Sequence, residues 1–363
     1  MMKYFVLILI CFLLIPLFSF ILRSFYRLEI PAPERYDVAT DDGWILPLYH
    51  YPTEGEPKGT VILCHGLGAN RFNLDLDEKY SLARFLWRSG YEAWVVERRG
   101  AGNSHRVGGG KAPYNWTFDD YVFQDLPAVL HFVSEHAQSS DLVWIGHSLG
   151  GMAIYAYLST HSAPFSLRIV TAGSPARFDY LHDFFELRPE ARKLAQNFVK
   201  GPWDALYVET LSRWFFPFLL LIPPNTWFAH LMLNPDNVTR QMVWYALANV
   251  PSPVTTAEFE QWLDWIDSKD FRRVDRQWSY QKNLYRIEAP ALIIAGNVDH
   301  LAPTEAVLYA YEHLGSSEKV FREFSRANGD SIDYGHSDLL VGESAPKEVF
   351  PFILNWLEET RPR

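Results

Sequence analysis

The 363 residues are 48% hydrophobic and 16% aromatic, which excludes a disordered, collagenous or coiled-coil chain and supplies ample material for a large core. The net charge of −10 comes without a basic block or stripe, which argues against nucleic acid as a partner. Only two cysteines are present, Cys11 inside an apolar run and Cys64 at the end of a strand-like one, so there is neither a disulfide framework nor zinc spacing.

The chain opens on an uncharged apolar run over 4–22, preceded by Lys3 and followed by Arg23 and Arg27. About 20 apolar residues cross a bilayer as a helix. The run exceeds the apolar core of a secretory signal and no small-x-small cleavage site follows it, so residues 1–23 read as an uncleaved, single-pass membrane anchor. Basic residues on both sides leave its orientation open. Residues 24–35 read as a linker.

Beyond it, strand-like runs at 45–51, 60–64, 93–97, 142–145, 168–172, 291–295 and 319–324 alternate with helical stretches at 117–136, 149–159, 304–314 and 347–359. Thr117 and Asp120 give the first of these helices a capping-box start. Strand–helix alternation of this kind predicts an α/β fold, a mostly parallel sheet with helices on its faces. The alternation stops between Gly173 and Ala289. That segment holds seven of the thirteen tryptophans and the run WFFPFLLLIPP at 214–224, too short and too proline-broken to span a membrane. It reads as a mainly helical insertion at 174–289, dividing a core of 36–173 and 290–363.

Three strand ends carry chemistry. After the run at 142–145, Gly146-His147-Ser148-Leu149-Gly150 precedes a helical stretch. A G-x-S-x-G between strand and helix puts the serine on a sharp turn, exposed near a helix N-terminus that favours negative charge. Serine is a poor nucleophile without a base, and the base needs an orienting acid. Asp299 follows the strand at 291–295, and His336 lies in the loop YGHSDLL before the last helix. The order serine, acid, histidine makes Ser148 the candidate nucleophile, His336 the base and Asp299 the acid. Asp179, after the strand at 168–172, is the rival acid, whereas His300 reads as a pocket residue. The strand at 60–64 leads into His65-Gly66-Leu67-Gly68. The Leu67 and Leu149 amides are then the candidate oxyanion hole, with His65, Gly66 and His147 beside the substrate.

The HGLG, the ERRGAGNS run from Glu97 to Ser104, GHSLGG, GNVDHLAP and YGHSDLL together resemble the α/β-hydrolase superfamily, in its order and spacing. The C-terminal stretch is similar to the acid-lipase and polyhydroxyalkanoate-synthase branch. Serine in place of the latter's cysteine favours hydrolysis over polymer synthesis. The resemblance implies a serine esterase or lipase without metal or organic cofactor, with Arg99 in a structural turn and the insertion as a lid. The lid's aromatic content points to an apolar, lipid-like ester substrate. A thioesterase or acyltransferase would use the same triad. A non-catalytic binding protein on the same fold is disfavoured by the intact set of residues.

Overall fold

The computed structural model describes residues 15–29, 32–108, 114–162, 166–180, 189–219, 221 and 226–362. Its framework is a nine-stranded sheet of β1 (Glu34–Ala39), β2 (Trp44–Tyr51), β3 (Thr60–Cys64), β4 (Glu92–Val96), β5 (His105–Arg106), β6 (Leu142–His147), β7 (Leu167–Ala172), β10 (Ala291–Gly296) and β11 (Lys319–Phe324). The spatial order is β1-β2-β4-β3-β6-β7-β10-β11, with β5 paired to β2. The six strands from β4 to β11 along this path run parallel; β1 and β2 add an antiparallel edge. The central strands TVILC, LVWIGH and ALIIAG are buried at every position, as strands covered on both faces must be.

Two apolar clusters fill the two sides of the sheet. One joins Trp94, Trp144 and the Leu149–Thr160 helix to the Leu126–His136 helix. The other joins Tyr91, Val95 and Ile145 to Phe350, Ile353 and Trp356 of the C-terminal Val349–Glu359 helix. The α/β architecture with a mostly parallel sheet is therefore the one the alternation implied. Among the elements that escaped the sequence reading are edge strand β1, the short strand β5 and the Leu82–Arg88 helix, which Ser81 caps by accepting from the Arg84 amide.

Between β7 and β10 the chain is mainly helical, with helices at Pro189–Val199, Val208–Leu219, Trp227–Met232, Arg240–Asn249 and Thr256–Ser268. The short strands β8 (Ala205–Leu206) and β9 (Val254–Thr255) pair within it. Its tryptophans divide by environment. Trp265 is fully buried against Phe118, Phe178 and Phe271, whereas Trp203 and Trp214 are exposed.

The N-terminal region departs from a separate anchor and free linker. Residues 15–24 are helical and lie against the insertion: Ser19 donates to the Arg213 carbonyl and Arg23 to that of Ala248. The stretch expected as a linker is docked too. Asn249 accepts from the Leu28 amide at 2.9 Å and donates to the Tyr26 carbonyl at 2.8 Å. The Tyr26 ring packs among Phe216, Trp244 and Tyr245. Among the described residues no helix is long and apolar enough to cross a membrane. Residues 1–14, most of the expected anchor, lie outside the described residues.

Candidate active site

Register within the parallel sheet brings the strand ends together. Cys64 of β3 is opposite Gly146 of β6, His147 opposite Ala172 of β7, and Ala172 opposite Ile294 of β10. Two residues past the β3–β6 pair are Gly66 and Ser148, and a Cβ on Gly66 would be 3.2 Å from that of Ser148. The segments carrying Ser148, Gly173, Asp299 and His336 thus leave the C-terminal edge of one sheet, where loops converge on a common crevice.

Ser148 caps the Leu149–Thr160 helix at φ 51°, ψ −119°, a conformation that costs a non-glycine residue on the order of 1–3 kcal/mol. Its amide is bound to the Ala172 carbonyl at 2.8 Å, and its own carbonyl accepts from Gly151 and Met152 at 3.0 Å. The turn also needs its glycines: a Cβ at 146 would meet the Gly150 carbonyl carbon at 2.4 Å, and one at 150 the Cys64 oxygen at 2.3 Å. This is the strained strand-to-helix elbow that G-x-S-x-G implies.

His336 and Asp299 meet directly, Nδ1 donating to Oδ2 at 2.7 Å. The other carboxylate oxygen accepts from the Leu301 and Ala302 amides at 2.8 and 2.7 Å. The carboxylate is buried and fixed at both oxygens, and among the described residues Nε2 of His336 has no hydrogen-bond partner. Gly173, at φ +57°, lies beneath the pair: a Cβ there would be 3.2 Å from His336 Nδ1 and 3.3 Å from Asp299 Oδ2. The rival acid Asp179 pairs instead with Arg177, two residues away and partly exposed. His300 is exposed and makes none of these contacts.

Leu149 is at the first position of its helix, where an amide has no intrahelical acceptor. Among the described residues neither its N–H nor that of Leu67 has a hydrogen-bond partner. The loop presenting Leu67 is braced on several sides. Asn73 Oδ1 accepts from the Gly66 amide at 3.0 Å and lies 2.8 Å from His147 Nδ1. Arg98, 3% exposed, donates from Nη2 to the Gly66 carbonyl at 2.8 Å and that of His65 at 3.3 Å. His65 Nδ1 donates to its neighbour's carbonyl at 2.9 Å, so Nε2 accepts from the Arg98 amide at 3.3 Å.

The two histidines expected beside the substrate are buried. Burial, then Arg98, holds His65 well below the ordinary imidazole value, and burial, then His336, pushes His147 down to about 3. Each is therefore neutral. A neutral imidazole has one N–H, so His147 donates either to Asn73 or to the His336 carbonyl 3.1 Å from Nε2. In both forms it lies between the two loops.

The insertion contacts the site at two places. The Gly68 carbonyl accepts from the Ser252 amide at 2.8 Å, and behind Arg98 lies Glu258 of the Thr256–Ser268 helix. Tyr121 connects the pair: its ring is 4.2 Å from the Arg98 guanidinium carbon and its hydroxyl donates to Glu258 at 3.1 Å. On the other side, the Ser337 amide bonds to the Met232 carbonyl at 2.9 Å. Asp338 accepts from the Asn234 amide at 2.8 Å and the Asn237 side chain at 2.9 Å. Sequence reasoning missed Asn73, Arg98, Gly173, Glu258 and Asp338. Only Arg98 had a local signal, its place inside ERRGAGNS. No cluster of three or more metal-ligating side chains occurs among the described residues.

A family model described as alpha/beta hydrolase fold matches residues 59–343. Lipase member K of Mus musculus is 24% identical over 90% of this chain and 88% of its own length. Gastric triacylglycerol lipase of Rattus norvegicus is 23% identical over the same shares. Among solved structures, a monoacylglycerol lipase of Paleococcus ferrophilus superposes with a TM-score of 0.57 at 19% identity, over 86% of this chain and 98% of that one. An esterase of Exiguobacterium antarcticum gives 0.56 at 14% identity, over 90% and 100%. The chain belongs to the α/β-hydrolase fold family, among its carboxylic-ester hydrolases.

Proposed function

We propose that this protein cleaves lipid-like carboxylic esters through an acyl-enzyme on Ser148, with His336 as general base, Asp299 as its orienting acid and the Leu67 and Leu149 amides as the oxyanion hole. The observation that carries this reading is the 2.7 Å His336–Asp299 hydrogen bond beside a serine held at φ 51° on a strand-to-helix turn. With Nδ1 committed to Asp299, Nε2 of His336 takes the Ser148 proton as Oγ bonds to the carbonyl carbon. Negative charge on the carbonyl oxygen is met by two amides that, among the described residues, have no other hydrogen-bond partner. Collapse of the intermediate breaks the bond to the alkoxy group, which leaves with the proton from His336. Water, deprotonated by the same nitrogen, then releases the acid and restores the Ser148 hydroxyl.

Residues 174–289 act as the lid of this site, in keeping with their contacts to both the HGLG loop and the His336 loop. Lipid-like substrates suit the lipase relatives and the exposed aromatic face of the Val208–Leu219 helix. A membrane tether through the N-terminal apolar run brings the enzyme to such substrates. Thioester hydrolysis and acyl transfer share the triad, and no feature of the site favours either.

Labelling with a fluorophosphonate probe tests the triad. Wild type should label at neutral pH and Ser148→Ala should not; labelling independent of Ser148 overturns the reading. The tether is tested apart from it by deleting residues 1–14, which leaves the docked 15–24 segment in place. A short soluble ester should be cleaved as before, with activity on ester in vesicles reduced. Equal vesicle activity counts against the tether.

A further inference from the structure

The exposed apolar side chains of this protein are not spread evenly. Of the eighteen large hydrophobic side chains exposed among the described residues, ten lie on two elements, residues 17–25 and 211–221. Leu17, Phe18, Phe20, Ile21 and Phe25 come from the first, while Trp214, Phe215 and Phe218 lead the second. The elements are in contact through Ser19 and the Arg213 carbonyl and through the Tyr26 and Phe216 rings. These exposed apolar side chains thus lie on two elements in contact with each other. Soluble surfaces rarely leave such a patch without a use, and amphipathic elements of this kind lie in the interfacial plane of a bilayer.

Where the two elements meet, a cleft of about 1100 Å3 opens, lined by Phe20, Arg23, Arg27, Arg213 and Trp214. None of the triad or oxyanion residues lines it. Of the three arginines named, Arg213 is paired with one of the cleft's acids, which leaves Arg23 and Arg27. Glu209 pairs with Arg213, and Glu97 is occupied by the Asn103 amide at 2.9 Å and the Tyr49 hydroxyl at 3.1 Å. Glu29 is exposed at the rim. Among the described residues neither Arg23 nor Arg27 has a carboxylate within salt-bridge distance, and Arg23 Nε is buried without a hydrogen-bond partner. Arg23 is also repelled by Arg213 and Arg27. A cationic, planar, partly unsatisfied donor set beside an apolar face matches a phosphodiester whose acyl chains continue into a membrane.

We propose that this cleft seats the phosphate of an anionic phospholipid, so that the apolar face docks on a bilayer in a fixed orientation. The inference rests on the reading that the enzyme works at a membrane, and it adds a headgroup preference separate from the substrate site. Two consequences follow from the geometry. The lipid would join the N-terminal segment to the Val208–Leu219 helix of the insertion, and anionic lipid would hold the lid in register with the bilayer.

The test uses the full chain in a nonionic detergent, with diether lipids that an esterase cannot cleave. A short-chain diether phosphatidylglycerol should raise the melting temperature in a saturable way. The matching diether phosphatidylcholine and inorganic phosphate should not. Arg23→Gln and Arg27→Gln should each weaken phosphatidylglycerol binding, by about fivefold per charge removed. Arg27 is exposed, so an effect of Arg27→Gln with an unchanged lipid-free melting temperature reports binding rather than folding. Equal shifts with both lipids, a phosphatidylglycerol shift untouched by both variants, or the same shift with phosphate alone would each overturn the proposal. A tether that fails the vesicle assay while headgroup selectivity persists would separate the two readings.

Discussion

Arg98 Nη2 donates to the Gly66 carbonyl at 2.8 Å, and through this bond a buried guanidinium fixes the loop that presents the Leu67 amide. The remaining support for that loop comes from Asn73 and Ser252. Removing one brace should shift the loop without unfolding it. Arg98→Met, which keeps much of the side-chain volume, is expected to lower kcat by about 10–100-fold, the scale of a misplacement near 1 Å. KM should change far less, because the amide acts on charge that develops in the transition state. Steady-state kinetics on a short ester, run beside thermal melting, check it. A kcat within twofold of wild type would show that the loop holds its shape without Arg98.

The two candidate acids are distinguished by their partners. Asp299 holds His336 and two amides, whereas Asp179 pairs with the nearby, partly exposed Arg177. Asp299→Asn should depress kcat by about 10³–10⁴-fold, since an amide at this position favours the wrong imidazole tautomer. Asp179→Asn should leave kcat unchanged and cost well under about 1 kcal/mol of stability, as exposed ion pairs do. The reverse outcome would move the acid to the end of β7.

The strands before Ser148 and Asp299 could be read from the sequence because each is an uninterrupted apolar run reaching a glycine. Sheet register then brings Ser148, Asp299 and His336 to one edge without further information. Edge strand β1 was hidden for the opposite reason: ERYDVA is mostly exposed, so it lacks the apolar signal. The braces were hidden because each depends on a partner far along the chain. Nothing near Arg98 announces Glu258, and nothing near residue 26 announces Asn249. Long-range polar contacts leave no period in a sequence, whereas burial does.

Gly173 offers a test of how tightly the triad is packed. Its φ of +57° and the 3.2 and 3.3 Å approaches to His336 and Asp299 both oppose a side chain. Gly173→Ala should therefore cost on the order of 1–2 kcal/mol from the backbone conformation alone. Activity should fall further than that loss of stability explains, because the added methyl presses on the bond that orients His336. Melting temperature and kcat measured on the same preparation separate the two effects. An active, merely less stable variant would mean that the His336 loop yields.

Glu258 gives the fold a pH dependence whose direction follows from its burial. Burial, opposed by Arg98, pushes its carboxyl up to about 7 from an ordinary 4.5. Between those values the folded chain binds a proton that the unfolded chain has already released. The stability this group adds is therefore complete below about pH 4.5 and is lost as pH rises through about 7. Glu258→Gln mimics the protonated form, so its contribution should stay flat across that window, with a higher melting temperature than wild type at pH 8. The difference should be on the order of 1 kcal/mol or more, since a tenfold change in proton affinity corresponds to about 1.4 kcal/mol. Denaturant unfolding of both proteins at pH 5 and pH 8 decides the matter. If wild type and variant lose stability in parallel, Glu258 is ionised throughout and Arg98 outweighs its burial. The buried charges of Arg98 and Glu258 would then attract each other throughout that range, and the position of the loop that Arg98 braces would not respond to pH.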